Sequence, residues 1–262
     1  MNIPFYKCNS KGNDFLIISH QDSLDYKSFT REKIRSICNY GKKSSIDGFI
    51  LLNNLNNFKS MDYYNNDGSW ETFCLNGIVC SALVLKKEYS KNNFDIDSND
   101  IKYKIDISNE GNVKVQMNRP VYKKKNIKID NYNANYLNSG AKHLVVNYQD
   151  DWSNNQEILH IMQKMRYNRI FEPDGINVNF YKIINPGKIE VKTYEKGIES
   201  MMDSCASGSY ACAYDYSIKN NYNKKINVIN QGGNSQIIFG KDYNRNFFLS
   251  KGIIEFKGEL EI

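Results

Sequence analysis

A chain of 262 residues that is 40% apolar and 13% aromatic has material for one or two cored domains, which excludes a disordered or fibrous protein. Its net charge of +6 comes from lysines scattered among asparagines, with Lys123-Lys124-Lys125 as the one dense basic run. This argues against a nucleic-acid partner, while a modest positive field helps to collect an anionic metabolite. No stretch is apolar for long enough to span a bilayer, and Met1-Asn2-Ile3-Pro4-Phe5-Tyr6-Lys7 lacks the apolar run of a targeting segment, so a cytoplasmic protein without a membrane partner is expected.

Residues 5–19 read as two strands around a turn at Ser10-Lys11-Gly12-Asn13-Asp14, the second being Phe15-Leu16-Ile17-Ile18. His20 is then a surface residue at a strand end. A helix with Ile34 and Ile37 on one face follows, then Ile46-Asp47-Gly48 and the buried strand Phe49-Ile50-Leu51-Leu52. Met61-Asp62-Tyr63-Tyr64 leads as a strand into Asn65-Asn66-Asp67-Gly68-Ser69, which is strong turn chemistry. Cys74 opens a helix running to about Tyr89, and residues 94–117 read as hairpin strands with a turn at Asn109-Glu110-Gly111-Asn112. A short hinge is expected near Asn118-Arg119-Pro120, with the basic run in the loop between repeats. Residues 155–166 form a helix with Ile158, Ile161, Met162 and Met165 as its core face and His160 as a packing residue. The second cysteine helix starts at Cys205, and strands around Gln231-Gly232-Gly233-Asn234 carry the chain to its end.

The second half replays the first. Cys74-Leu75-Asn76-Gly77 and Cys205-Ala206-Ser207-Gly208 share the order cysteine, any residue, small polar residue, glycine, then a small and apolar run. Cys205 lies 131 residues after Cys74, half of 262; Gly140-Ala141-Lys142-His143 follows Gly12-Asn13-Asp14-Phe15 by 128, and Asp174-Gly175 follows Asp47-Gly48 by 127. Three landmarks in one order at nearly constant spacing are the mark of an internal repeat.

The six cysteines form no C-x-x-C pair and have no histidine at zinc spacing, so free thiols and no metal are expected. Cys8, Cys38, Cys80 and Cys212 read as buried packing residues. Cys74 and Cys205 differ, because the free N–H groups and positive dipole end of a helix start favour an anion and lower a thiol's pKa. A cysteine so placed serves as base or nucleophile, and the same N–H groups hold a carboxylate. Two such ends acting on one small acid would place it between two sulfurs.

The chain resembles the diaminopimelate epimerases over most of its length. The resemblance rests on Lys11-Gly12-Asn13-Asp14-Phe15, Ile46-Asp47-Gly48, Asn66-Asp67-Gly68-Ser69, Cys74-Leu75-Asn76-Gly77-Ile78-Val79-Cys80, Tyr194-Glu195-Lys196-Gly197 and Cys205-Ala206-Ser207-Gly208, with Gly252-Ile253-Ile254-Glu255-Phe256-Lys257-Gly258-Glu259-Leu260 as the last strand. It implies an α+β fold of two pseudo-symmetric domains, each an antiparallel sheet wrapped around a central helix. The expected domains are residues 1–117 plus 248–262 and residues 118–247. It implies an isomerase without pyridoxal phosphate or metal, in which Cys74 and Cys205 act as an acid/base pair at the α-carbon of an amino acid. Backbone N–H groups of Leu75, Asn76, Ala206 and Ser207 would hold the α-carboxylate. By motif position Asn13, Asn65, His143, Asn177, Glu195 and Lys196 would bind substrate or tune the thiols; a homodimer is usual in the family. Asn13 and Asn65 also read as turn formers, His143 as a structural histidine and Glu195 as a surface charge.

The departures from the family pattern cluster. Leu75 and Ala206 replace glycines, which spares the backbone N–H groups. Ala141 stands where an asparagine is expected and Lys196 where an arginine is expected, and lysine lacks the planar fork that grips a carboxylate bidentately. The segment from Glu195 to Cys205 is one residue longer than usual, adding bulk near Met201-Met202. These changes point to a single-headed amino acid as substrate. Histidine is the first choice, since relatives in this fold that racemise histidine are known and its imidazole could bond to Glu195. The alternatives are a diaminopimelate epimerase with a drifted pocket and a non-catalytic amino-acid binder.

Overall fold

The computed structural model describes residues 2–19, 28–39, 46–55, 58–222 and 224–261; His20 lies outside them. The chain divides into two compact units, Met1–Gln116 with Leu249–Ile262, and Met117–Phe248.

In the first unit β1 (Asn2–Ser10) and β2 (Asn13–Ser19) form an antiparallel hairpin. Its two-residue loop is Lys11-Gly12, with φ of 56° and 86°, the left-handed pair that matches strand twist in a tight hairpin. After α1 (Arg31–Cys38), β3 (Gly48–Leu55) pairs parallel with β2, and β4 (Phe58–Asn65) pairs antiparallel with β3. β5 (Trp70–Glu71) pairs antiparallel with β4, α2 (Leu75–Tyr89) follows, and β6 (Asn93–Ser98) bridges β4 in parallel. β7 (Ile101–Ile107) and β8 (Asn112–Met117) extend the meander, and the strand Ile253–Glu261 closes on β1.

The second unit repeats this connectivity from its first hairpin to the hairpin after its cysteine helix, with its opening strand in the place of the first unit's closing one. β9 (Val121–Ile129) pairs with β10 (Tyr132–Asn138), and β10 with β11 (Lys142–Asn147). α3 (Asn155–Arg166) leads to β12 (Asn177–Asn185), parallel to β11; β13 (Lys188–Glu195) and β14 (Ser200–Met202) follow antiparallel. After α4 (Ala206–Lys219), β15 (Ile226–Asn230) runs parallel to β13 and pairs with β16 (Gly233–Ile238). Each unit is therefore α+β, a largely antiparallel sheet with two parallel joins.

Those parallel joins explain the continuous apolar run of β2, since strands at a parallel join are covered on both faces. Leu16 and Ile18 pack with Ile34 and Cys38 of α1, while Phe15 and Ile17 are also buried. α2 and α4 are the wrapped helices: Leu75 to Ala82 and Ala206 to Ser217 are buried without a polar face, which only an enclosed helix tolerates. The fully buried Asp215 of α4 is held by Tyr122, Asn135, Tyr181 and Lys219 at 2.6–3.0 Å, the set of partners a buried carboxylate requires. α3 buries Ile158, Met162 and Met165, with Ile161 partly buried.

Two expectations are corrected. His160 is exposed, because a residue two positions after Ile158 lies about 200° around the helix from the core face. Lys123-Lys124-Lys125 lies in a strand, not a loop: Ile127 and Ile129 of β9 anchor it to the core, and the lysines extend the same strand on its exposed part.

Candidate active site

Cys74 is the N-cap of α2, with extended backbone at φ −137° and ψ 107°. Its Sγ accepts the Gly77 N–H at 3.3 Å, so the helix start does supply a donor to this sulfur. A Cβ at position 77 would sit 3.4 Å from that sulfur, an ordinary contact, and 3.0 Å from Ile50 Cδ1, the end of a side chain. Asn76 turns its buried amide to other partners: Nδ2 donates to Asn13 Oδ1 at 2.5 Å, and Oδ1 accepts from Ser10 Oγ at 3.5 Å. Asn13 also bonds the Asp47 carboxylate, which accepts the Asp14 N–H at 2.9 Å and whose pKa is raised by burial. The first unit thus gathers Cys74, Leu75, Asn76 and Asn13 at one helix start. Asn65 is buried but engaged in its own turn, taking the Tyr63 hydroxyl proton at 3.0 Å and donating to Ser69 Oγ at 3.3 Å.

Cys205 is the N-cap of α4 with nearly the same backbone, φ −120° and ψ 108°. Its surroundings differ: the residue is 8% exposed and its Sγ lies 3.6 Å from Ser207 Oγ. Burial first, and then the Glu195 carboxylate beside it, push the thiol up to about 12, against the pull of the Ser207 hydroxyl and the Gly208 N–H. The lowered pKa expected from the helix start is overturned here, because desolvation and a neighbouring anion both disfavour a thiolate and together outweigh the helix end.

His143, on β11, is fully buried and burial depresses its pKa to about 3, so the imidazole is neutral. Its Nε2 lies 3.0 Å from Ser207 Oγ and its Nδ1 lies 3.0 Å from Asn179 Nδ2. Asn177 bridges two backbone segments, accepting the Lys196 N–H at 2.8 Å and donating to the Lys142 carbonyl at 3.2 Å. Glu195 and Lys196 sit in a turn closed by Glu199 N–H to Glu195 O at 2.8 Å, and Arg166 and Tyr167 hold the Glu199 carboxylate at 2.6 and 2.9 Å. Ala206 and Ser207 occupy the first turn of α4 and are buried, while Ala141 and Lys196 are half-buried. The second unit thus joins Cys205, Ser207, His143 and Glu195, with Asn177 fixing the backbone of Lys196.

Sequence reasoning missed Asn179, Thr193 and Asp47 as parts of these networks. The available signal for Asn179 was an amide in the apolar strand run Val178-Asn179-Phe180-Tyr181, where an uncharged polar residue needs internal partners. Among the described residues no group of three or more His, Cys, Asp or Glu is placed to hold a metal ion, and no helix is long and apolar enough to cross a membrane.

No family model matches the chain. It is 32% identical to the diaminopimelate epimerase of Flavobacterium psychrophilum over 99% of this chain and 100% of that one, and 30% identical to that of Aquifex aeolicus over 98% of each. Among solved structures, a hydroxyproline epimerase from Agrobacterium vitis with bound trans-4-hydroxy-L-proline superposes with a TM-score of 0.74 at 9% identity, over 99% of this chain and 92% of that one. A phenazine biosynthesis protein of the PhzF family from Enterococcus faecalis gives 0.74 at 11% identity over 100% of both chains. At such identities the likeness is one of fold.

Proposed function

We propose that this chain, which belongs to the diaminopimelate epimerase family of isomerases, inverts the α-carbon of a free amino acid by two-base proton transfer between Cys74 and Cys205. The observation that carries the reading is that two topologically equivalent helices each open on a cysteine N-cap, with glycine three residues later leaving room beside the sulfur. In one direction Cys74 takes the α-proton while Cys205, held as a thiol by burial and Glu195, delivers a proton to the opposite face. Backbone N–H groups of Leu75, Asn76, Ala206 and Ser207, at helix positions with no intrahelical acceptor, hold the α-carboxylate and the charge that develops on it. No cofactor or metal enters this chemistry.

The substrate we assign is single-headed, with histidine first, on the strength of Ala141 and Lys196 at the positions that would grip a second amino-acid head. Asn13, Asn65, His143, Asn177 and Glu195 complete the site, of which Asn13, Asn65 and Asn177 act largely by holding backbone and helix starts in place. The second reading, diaminopimelate itself, is favoured by the names of the curated relatives. Deuterium wash-in at Cα in D₂O across a panel of amino acids separates the two: exchange with histidine and not with diaminopimelate supports the first, and the reverse pattern overturns it. Exchange with no amino acid, together with retained ligand binding, would leave a binding protein. A cytoplasmic homodimer is the assembly we expect, and sedimentation of the purified protein tests its dimeric state.

A further inference from the structure

We propose that Asn179 is a positioning residue that sets the tautomer of His143 and thereby aims the Ser207 hydroxyl proton at the Cys205 sulfur. The inference rests on the reading of Cys205 as an acid/base group, and every link lies within the second unit.

The direction of the chain follows from groups whose roles are not adjustable. The Asn179 amide nitrogen faces two backbone carbonyls, Leu144 O at 3.1 Å and Asn177 O at 3.3 Å, and carbonyls only accept. The amide oxygen meanwhile takes the Thr193 hydroxyl at 2.9 Å. The amide orientation is therefore set independently of the histidine, and its N–H₂ end is what His143 Nδ1 meets at 3.0 Å. The two amide hydrogens serve three acceptors, so one is shared, and since the N–H₂ group offers no lone pair Nδ1 can only accept; in a neutral ring Nε2 then carries the proton and donates to Ser207 Oγ at 3.0 Å. With a lone pair so occupied, Ser207 has its own hydrogen to give to Cys205 Sγ, 3.6 Å away.

The wiring matters when sulfur carries charge. As Cys205 passes its proton to carbon, the S–H bond breaks, its electron pair stays on sulfur, and the Ser207 O–H and Gly208 N–H donate to the thiolate; no proton moves along the relay. Gly208 has a part in this, since a Cβ there would collide with Asn179 Oδ1. The reverse tautomer would make Nε2 an acceptor, draw the Ser207 proton away from sulfur and present a lone pair to the thiolate instead.

Among the described residues, Glu195 from β13 and Cys212 from α4 itself act electrostatically on Cys205, and His143 from β11 reaches it through Ser207. The test reads the tautomer directly, by long-range ¹H–¹⁵N correlation of the histidine side chains in the intact protein. His143 is expected as the neutral Nε2–H form in the wild type and as the Nδ1–H form in Asn179→Asp, whose carboxylate can only accept. Asn179→Asp and Ser207→Ala should each lower kcat for Cα deuterium exchange roughly 10- to 100-fold, the size of a lost hydrogen bond to a charged group, with KM nearly constant. Ser207→Ala should leave the His143 tautomer unchanged, and Ser207→Thr should restore most of the rate. An Nδ1–H wild type overturns the proposal, as does a kcat in Ser207→Ala within about twofold of wild type. Should no amino acid be turned over, the proposed reaction falls, yet the tautomer and mass-mapped alkylation still decide the relay: loss of the hydroxyl should slow Cys205 alkylation several-fold, and an unchanged rate refutes it. Should Asn179→Asp not fold, the wild-type spectrum and the Ser207 variants decide alone.

Discussion

The helix starts at Cys74 and Cys205 have almost the same backbone and opposite environments. Each sulfur has the N–H of the glycine three residues on beside it, but Cys74 is half-buried, whereas Cys205 is buried and faces Glu195, which raises its pKa. The residue two places on does different work in each: Asn76 turns to Asn13, which in turn meets Asp47, while Ser207 lies between His143 and the sulfur. A duplicated fold has kept a cysteine at the equivalent helix start and rewired what surrounds it. A two-base reaction needs one base and one acid at rest, and the raised pKa of Cys205 suits it to the acid's part.

The strongest test of that comparison removes the sulfurs. Cys74→Ser and Cys205→Ser should each lower Cα exchange by about 10²- to 10⁴-fold, the usual worth of a positioned acid or base. Exchange unchanged in the double variant would end the two-base reading.

A second test uses His143, which has no counterpart in the first unit, where Phe15 occupies the matching place. Its folded pKa, near 3, lies below the ordinary 6.5, so between those values the unfolded chain binds the extra proton and stability falls as pH drops. The slope from this group is about 1.4 kcal/mol per pH unit across the window, vanishing above about pH 6.5. Urea unfolding midpoints should show it, and His143→Gln should flatten it.

Smaller effects separate the two glycines. Gly208→Ala forces a methyl against Asn179 in a closed core and should destabilise by about 1–3 kcal/mol. Gly77→Ala meets Ile50 Cδ1 at 3.0 Å, the end of a side chain that can yield, and Ala gains about 1 kcal/mol in helix propensity, so its net change should be under about 1 kcal/mol. Equal losses in thermal unfolding would erase the distinction. The smallest effect is expected from Glu195→Gln: taking away the second cause of the raised Cys205 pKa should speed iodoacetamide labelling of Cys205 several-fold and leave Cys74 labelling unchanged.

Much of the architecture was legible because its signals are local. Turn chemistry at Lys11-Gly12 and Gln231-Gly232, the apolar runs of β2 and β3, and the small-residue helices after Cys74 and Cys205 each arise from neighbouring residues, and their recurrence exposed the repeat. His160 was misjudged because a two-residue displacement on a helix changes its face. The lysine run was misjudged because charge was weighed above the alternation of Ile127 and Ile129.

What the amino-acid order determined unaided was the duplicated framework, the two cysteines at its equivalent points, and the family to which the chain belongs. Tertiary structure alone decided that the Cys205 pKa is raised and which groups the two nitrogens of His143 meet. Those properties depend on desolvation and on hydrogen bonds between residues 36 and 64 positions apart, Asn179 to His143 and His143 to Ser207. No local pattern encodes such distances, because they exist only once the sheet has closed around α4.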